Sequence, residues 1–188
     1  MTGASVMEAA AAIRAGKVVL VPTETVVGLV SSEVGLVRIR DIKGRDSIKA
    51  IALLCASSEE AFALARNVPP LARRLADLYW PGSLTLVLDA LRGGTVGVRV
   101  PDHPTVRTLL VAYGEPFYAT SANLSGEPAP AGLADVDPRV SGLVDVILSG
   151  EPGGGEASAV VDLSGGNVHL LRATEDLSNE KLTRLTLK

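Results

Sequence analysis

The sequence predicts an α/β protein: a single domain over residues 1–188, built on a twisted mixed sheet flanked by helices. Three observations lead there. Apolar or alternating runs of strand length recur between segments of helical spacing, about seven or eight strands among five or six helices. The 188 residues are 47% hydrophobic and 21% charged, enough to bury a sizeable core and too apolar for a disordered tail. No internal repeat or low-complexity linker divides the chain.

Each element has a local signal. Ser5 and Glu8 form an S-x-x-E capping box before Val6, Ala10 and Ile13 at helical spacing, and Gly16 closes that helix. Lys17 to Pro22 is a β-branched strand ending in the loop Pro22-Thr23-Glu24-Thr25. Glu33 to Ile42 reads as helix, broken by Gly44, and Ala50 to Cys55 as a centrally buried strand. A second capping box, Ser57 to Glu60, starts a helix bearing Ala61, Phe62 and Ala65. After Pro69 and Pro70, Leu71, Leu75, Leu78 and Tyr79 mark another helix, stopped at Trp80-Pro81-Gly82.

Ser83 to Leu88 and Thr95 to Val100 alternate as strands, which puts Arg99 on the face opposite Val96, Val98 and Val100. Asp102 to Tyr113 is a helix with Pro104 in its first turn. Phe117 to Thr120 is a strand that empties into the polar loop Ser121 to Gly126. Val144 to Leu148, Ser158 to Leu163 and Val168 to Leu171 are further strands between glycine-rich turns. Leu177, Ser178 and Leu182 suit a stapled terminal helix.

Composition excludes several classes. No apolar run reaches the ~18 residues of a membrane helix, because Pro22 to Thr25 interrupt the best candidate. The N-terminus lacks the pattern of a secretory leader, and the single Cys55 cannot form an internal disulfide, so a reducing cytoplasm is expected. A net charge of −3 argues against a general nucleic-acid binder. Only His103, His169 and Cys55 are soft ligands, so no metal site is expected. No G-x-S-x-G elbow supports a hydrolase triad. Gly150 to Gly155 lacks the ending of a phosphate-binding P-loop and reads first as a turn, with lining a ligand as the alternative, and Ser178 to Lys181, an S-x-x-K match, reads as a helix cap.

Lys43, Arg45 and Lys49 stand apart. Of 18 basic residues five are lysines, and two of them share this seven-residue loop with an arginine. Taken alone, the spacing fits either a solvated basic loop or a site for a phosphate chain. Ser121 and Asn123, just past a strand end, fit either an ordinary turn or a ligand loop.

Pro22-Thr23-Glu24-Thr25, Lys43-x-Arg45-x-x-x-Lys49, Trp80-Pro81-Gly82, Val98 to Pro104, Thr120 to Gly126 and Ser158 to Asp162 occur in an order that resembles the YrdC-like family, over roughly residues 5–175. The resemblance is to its short, single-domain form. It implies a nucleotidyltransferase that makes threonylcarbamoyl-AMP and pyrophosphate from L-threonine, bicarbonate and ATP, with magnesium travelling on the ATP. The product would feed the tRNA threonylcarbamoyl transferase machinery in the cytoplasm. By the same resemblance Lys43, Arg45 and Lys49 are catalytic; Arg45, Lys49, Ser121, Asn123 and Arg172 bind ATP; and Thr25, Arg99, Ala119 and Ser158 bind threonine. Where many relatives carry other residues, this chain has Val21, Val27, Val30, Ala50 and Ala159, which are expected to reshape the amino-acid pocket. Two competing readings are a diverged paralogue that docks structured RNA, with at most weak RNA contact, and one that takes another carbamoyl or amino-acid substrate.

Overall fold

The computed structural model describes residues 4–44, 51–151 and 153–187. Arg45, Lys49 and Ala50 therefore lie outside the described residues. The capping box at Ser5 is formed: its Oγ accepts the Glu8 N–H at 3.3 Å while Glu8 accepts the Ser5 N–H at 2.7 Å, and α1 (Val6–Arg14) follows. Next come β1 (Val19–Val21), β2 (Gly28–Ser31), α2 (Leu36–Lys43), β3 (Ala52–Leu54), α3 (Ser58–Ala63), α4 (Pro70–Tyr79), β4 (Leu84–Asp89) and β5 (Thr95–Arg99). The rest of the chain forms α5 (Pro104–Tyr113), β6 (Phe117–Ser121), α6 (Pro138–Ser141), β7 (Val146–Ile147), β8 (Ala159–Asp162), β9 (His169–Arg172) and α7 (Asn179–Thr186).

Among the described residues these strands make one nine-stranded sheet in the order β7-β1-β2-β6-β3-β5-β4-β8-β9. The pairs β1–β7, β3–β5 and β4–β8 run parallel and the others antiparallel, the mixed sheet that the element pattern predicts. Helices cover both faces. Leu53, Leu86, Val98 and Val161 pack under α3, α4 and α7, through Ala61, Leu75 and Leu182. Val19, Val21, Leu54 and Phe117 pack under α1 and α5, whereas Val18, Leu20 and Leu29 meet Ile39 and Ile42 of α2 and Val140 of α6. Among the described residues no helix is long and apolar enough to cross a membrane.

Three elements differ from the sequence expectation, among them α6, a single turn that Asp137 caps where no helix is expected. β2, paired at its edges with β1 and β6, occupies a stretch for which no element is expected: Val26 to Val30 shows no alternation because both faces are buried, Val30 in the cluster with α1 and α5 and Leu29 in that with α2. The strand expected over Val144 to Leu148 shortens to Val146–Ile147, since Asp145 turns its carboxylate back to accept the Val18 N–H. Val21, Val27, Val30 and Ala159 are fully or almost fully buried in the core and do not line the cavity described below, so they do not reshape its wall directly.

Candidate functional site

Small residues meet across the middle of the sheet. Ala52 lies opposite Ala119 on one side and Gly97 on the other, and Gly28 lies opposite Ser121. Side chains this short leave the pleat uncovered, and over it opens a cavity of about 480 Å³, within the usual range for a small-molecule site. Its apolar wall includes Val26, Leu54 and Val160, and its polar wall Thr25, Thr85, Ser121, Ser158, Arg99 and Arg172.

Strand alternation aims Arg99 at this face, and three groups then fix its fork. Its Nε donates to Gly82 O at 3.0 Å, Nη1 to Thr25 Oγ1 at 3.0 Å and Nη2 to Glu24 Oε1 at 2.6 Å. The proton order follows from valence. Thr23 donates its one hydroxyl proton to Val26 O at 2.7 Å, so Thr25 must donate to Thr23 Oγ1 at 2.9 Å and present its own oxygen to Arg99. The Thr23–Thr25 loop is held from behind by the glycine-rich stretch: Gly154 N donates to Glu24 O at 2.9 Å and Gly155 N to Thr25 O at 2.7 Å. A Cβ on Gly153 would come within 2.1 Å of Thr23 O, so only glycine allows that approach.

Arg172, on edge strand β9, reaches back across β8. Its Nε donates to Ser158 O and its Nη2 to Ser158 Oγ at 3.1 Å, and that hydroxyl also pairs with Thr85 Oγ1 at 2.9 Å. Burial, and then the positive charge of Arg99, lower the Arg172 pKa, yet a guanidinium stays charged. Two cations that feel each other across one cavity, with only Glu24 among the described residues ion-paired to either, favour an anionic occupant.

Thr25, Arg99, Ala119 and Ser158, expected on the threonine side, all line the cavity, as do Ser121 and Arg172, expected on the nucleotide side. Asn123 stands behind it. Its Oδ1 accepts from Ser121 Oγ and its Nδ2 donates to Leu124 O and Glu127 O, so the amide shapes the loop. Lys43 is 3% exposed, and its Nζ donates to Ser121 O, to Asn123 O at 2.9 Å and to Asn123 Oδ1 at 3.3 Å, under the loop and not on the cavity wall. Thr85, which lines the cavity, and Glu24, which stands behind Arg99, were not singled out by spacing alone. Thr85 has one signal, a hydroxyl on the non-leucine face of an alternating strand; Glu24 has only its place in the Pro22 to Thr25 motif. Among the described residues no cluster of three His, Cys, Asp or Glu side chains could hold a metal ion.

The family model Sua5/yciO/yrdC, described as "Telomere recombination", matches residues 11–174. A threonylcarbamoyl-AMP synthase of Pyrococcus abyssi is 38% identical over 169 residues, which is 83% of this chain and 50% of that one. The chain thus spans about half the length of that relative. A threonylcarbamoyl-AMP synthase of Stenotrophomonas maltophilia is 35% identical over 175 residues, 85% of this chain and 94% of that one. The crystal structure of P. abyssi Sua5 complexed with L-threonine superposes with a TM-score of 0.87 at 34% identity, covering 96% of this chain and 56% of that chain.

Proposed function

The chain belongs to the Sua5/yciO/yrdC family, and from that premise we propose that it catalyses formation of threonylcarbamoyl-AMP from L-threonine, bicarbonate and ATP. The observation that carries the proposal is the convergence of two guanidiniums and six hydroxyl-bearing residues on one cavity, from residues spread between Thr23 and Arg172. Relatives with that activity in their names, and a neighbouring structure that holds L-threonine, support the amino acid.

The chemistry suits such a site. The threonine amine attacks the carbon of bicarbonate, whose C–O bond breaks to release water, or the carbon of the carbon dioxide derived from it, in which case the nitrogen gives up a proton; either route gives a carbamate. A carbamate oxygen then bonds to the α-phosphorus of ATP as the bond to pyrophosphate breaks. Two anions must approach, so positioning and charge stabilisation carry the rate and no covalent enzyme intermediate is needed. In this reading Arg99, with Thr25, Ala119 and Ser158, receives the amino acid, and Arg172 and Ser121 face the nucleotide. Lys43 and Asn123 shape the Ser121 loop from behind, and Arg45 and Lys49 add charge for the phosphates. Magnesium enters as part of the ATP substrate. The product would pass to the machinery that modifies tRNA, and the compartment that fits is the cytoplasm.

ATP–pyrophosphate exchange with bicarbonate and a panel of amino acids tests this. Exchange that depends on L-threonine is expected; no exchange with any amino acid overturns the proposal.

A further inference from the structure

Glu24 does not line the cavity, yet it holds the group that most needs a fixed direction. One oxygen, Oε1, accepts from Arg99 Nη2 at 2.6 Å and from the Asp102 backbone N–H at 2.8 Å. It thereby ties the end of β5 to the residues that lead into α5. The other oxygen, Oε2, is buried and has no hydrogen-bond partner among the described residues. A structural ion pair ordinarily satisfies both oxygens, because a buried lone carboxylate oxygen is costly. The backbone of Glu24 is clamped independently by Gly154, so the side chain is not needed to seat the loop. Its side chain then serves the Asp102 N–H and the guanidinium: with Gly82 O on Nε and Thr25 on Nη1, Glu24 completes a three-point hold that leaves Arg99 one orientation.

We infer that Glu24 is a positioning residue: through Oε1 it aims the Arg99 fork at the amino-acid end of the cavity, and so sets the affinity for the amino acid and not for ATP. This rests on the proposed synthase reading, and reach matters more than charge. Glu24→Gln keeps an acceptor at the same reach without the charge, whereas Glu24→Asp keeps the charge and draws it back by one methylene.

Two measurements test it on the full chain. In exchange kinetics, E24D raises the KM for L-threonine about ten- to a hundredfold, the loss typical of a hydrogen bond to a charged group, with the ATP KM within about threefold. E24Q stays within about threefold of the parent for both substrates. In 15N-arginine NMR spectra, which need no activity, the Arg99 Nε–H exchanges with solvent faster in E24D and remains protected in E24Q. The reverse order, with E24Q impaired and E24D intact, overturns the inference, as does an equal change in both KM values or an unchanged Arg99 signal in E24D. A parent protein with no threonine-dependent exchange overturns the synthase reading instead, and the Arg99 signals still judge Glu24.

Discussion

Replacing Lys43 by methionine separates two roles that one lysine could serve. Lys43 is 3% exposed; methionine keeps its apolar stem and removes the ammonium, which donates to three oxygens of the Ser121–Asn123 loop. Each charge-assisted hydrogen bond contributes roughly 1.5–3 kcal/mol. The substitution also removes the desolvation cost of a buried cation, which offsets part of the loss, so the low end applies. Two well-formed bonds at that end give a loss of about 3 kcal/mol. For a chain of 188 residues that lowers Tm by about 6–12 °C. Urea and thermal unfolding followed by circular dichroism measure both quantities. A loss under about 0.5 kcal/mol, the usual range for surface substitutions, would refute the reasoning and return the ammonium to solvent or to a ligand.

Arg99→Lys keeps the charge but loses the planar fork that bonds Gly82, Thr25 and Glu24 together, and threonine-dependent exchange is expected to fall on the order of 10²-fold, measured as kcat/KM. Gly153→Ala drives a Cβ against Thr23 O and should cost about 1–3 kcal/mol in urea unfolding while it shifts the Thr23–Thr25 loop. The Cys55 thiol is fully buried, and burial followed by Glu60 pushes its pKa up to about 12. It should therefore resist a thiol reagent at pH 8 in the folded protein and react once denatured. Because the raised value belongs to the folded state, the neutral thiol's contribution is complete below the ordinary thiol pKa and is lost as pH climbs towards 12.

The parts of the fold that local chemistry decides were legible in the sequence. Ser5 and Ser57 cap helices where their boxes predict, and Leu84, Leu86 and Leu88 are buried on one side of β4. β2 was not legible, because a strand buried on both faces carries no alternation to separate it from a loop. In the site, Arg99 could be assigned a face from the valines beside it, and Thr25, Ser121 and Ser158 came through motif order, whereas Thr85 lies in none of the motifs. The partners of those residues stayed hidden. Nothing in the spacing of Lys43 says that its ammonium meets carbonyls about 80 residues further on, and nothing around Glu24 says that its partner is Arg99. Such pairings depend on which strands become neighbours, and period and composition do not encode that order.

The small-residue floor has a consequence for how the sheet responds to an occupant. Arg99 sits on β5 and Arg172 on β9, at the far end of the strand order, and Thr25 belongs to the loop leading into β2 on the other side. An anion seated over Ala52 and Ala119 would touch both flanks at once and act as a cross-brace over the least bulky part of the sheet. Whatever binds there should raise the melting temperature of the whole sheet by mass action, in proportion to RT ln(1 + [L]/Kd). A calorimetric scan with each candidate molecule would then rank occupants by affinity without any turnover.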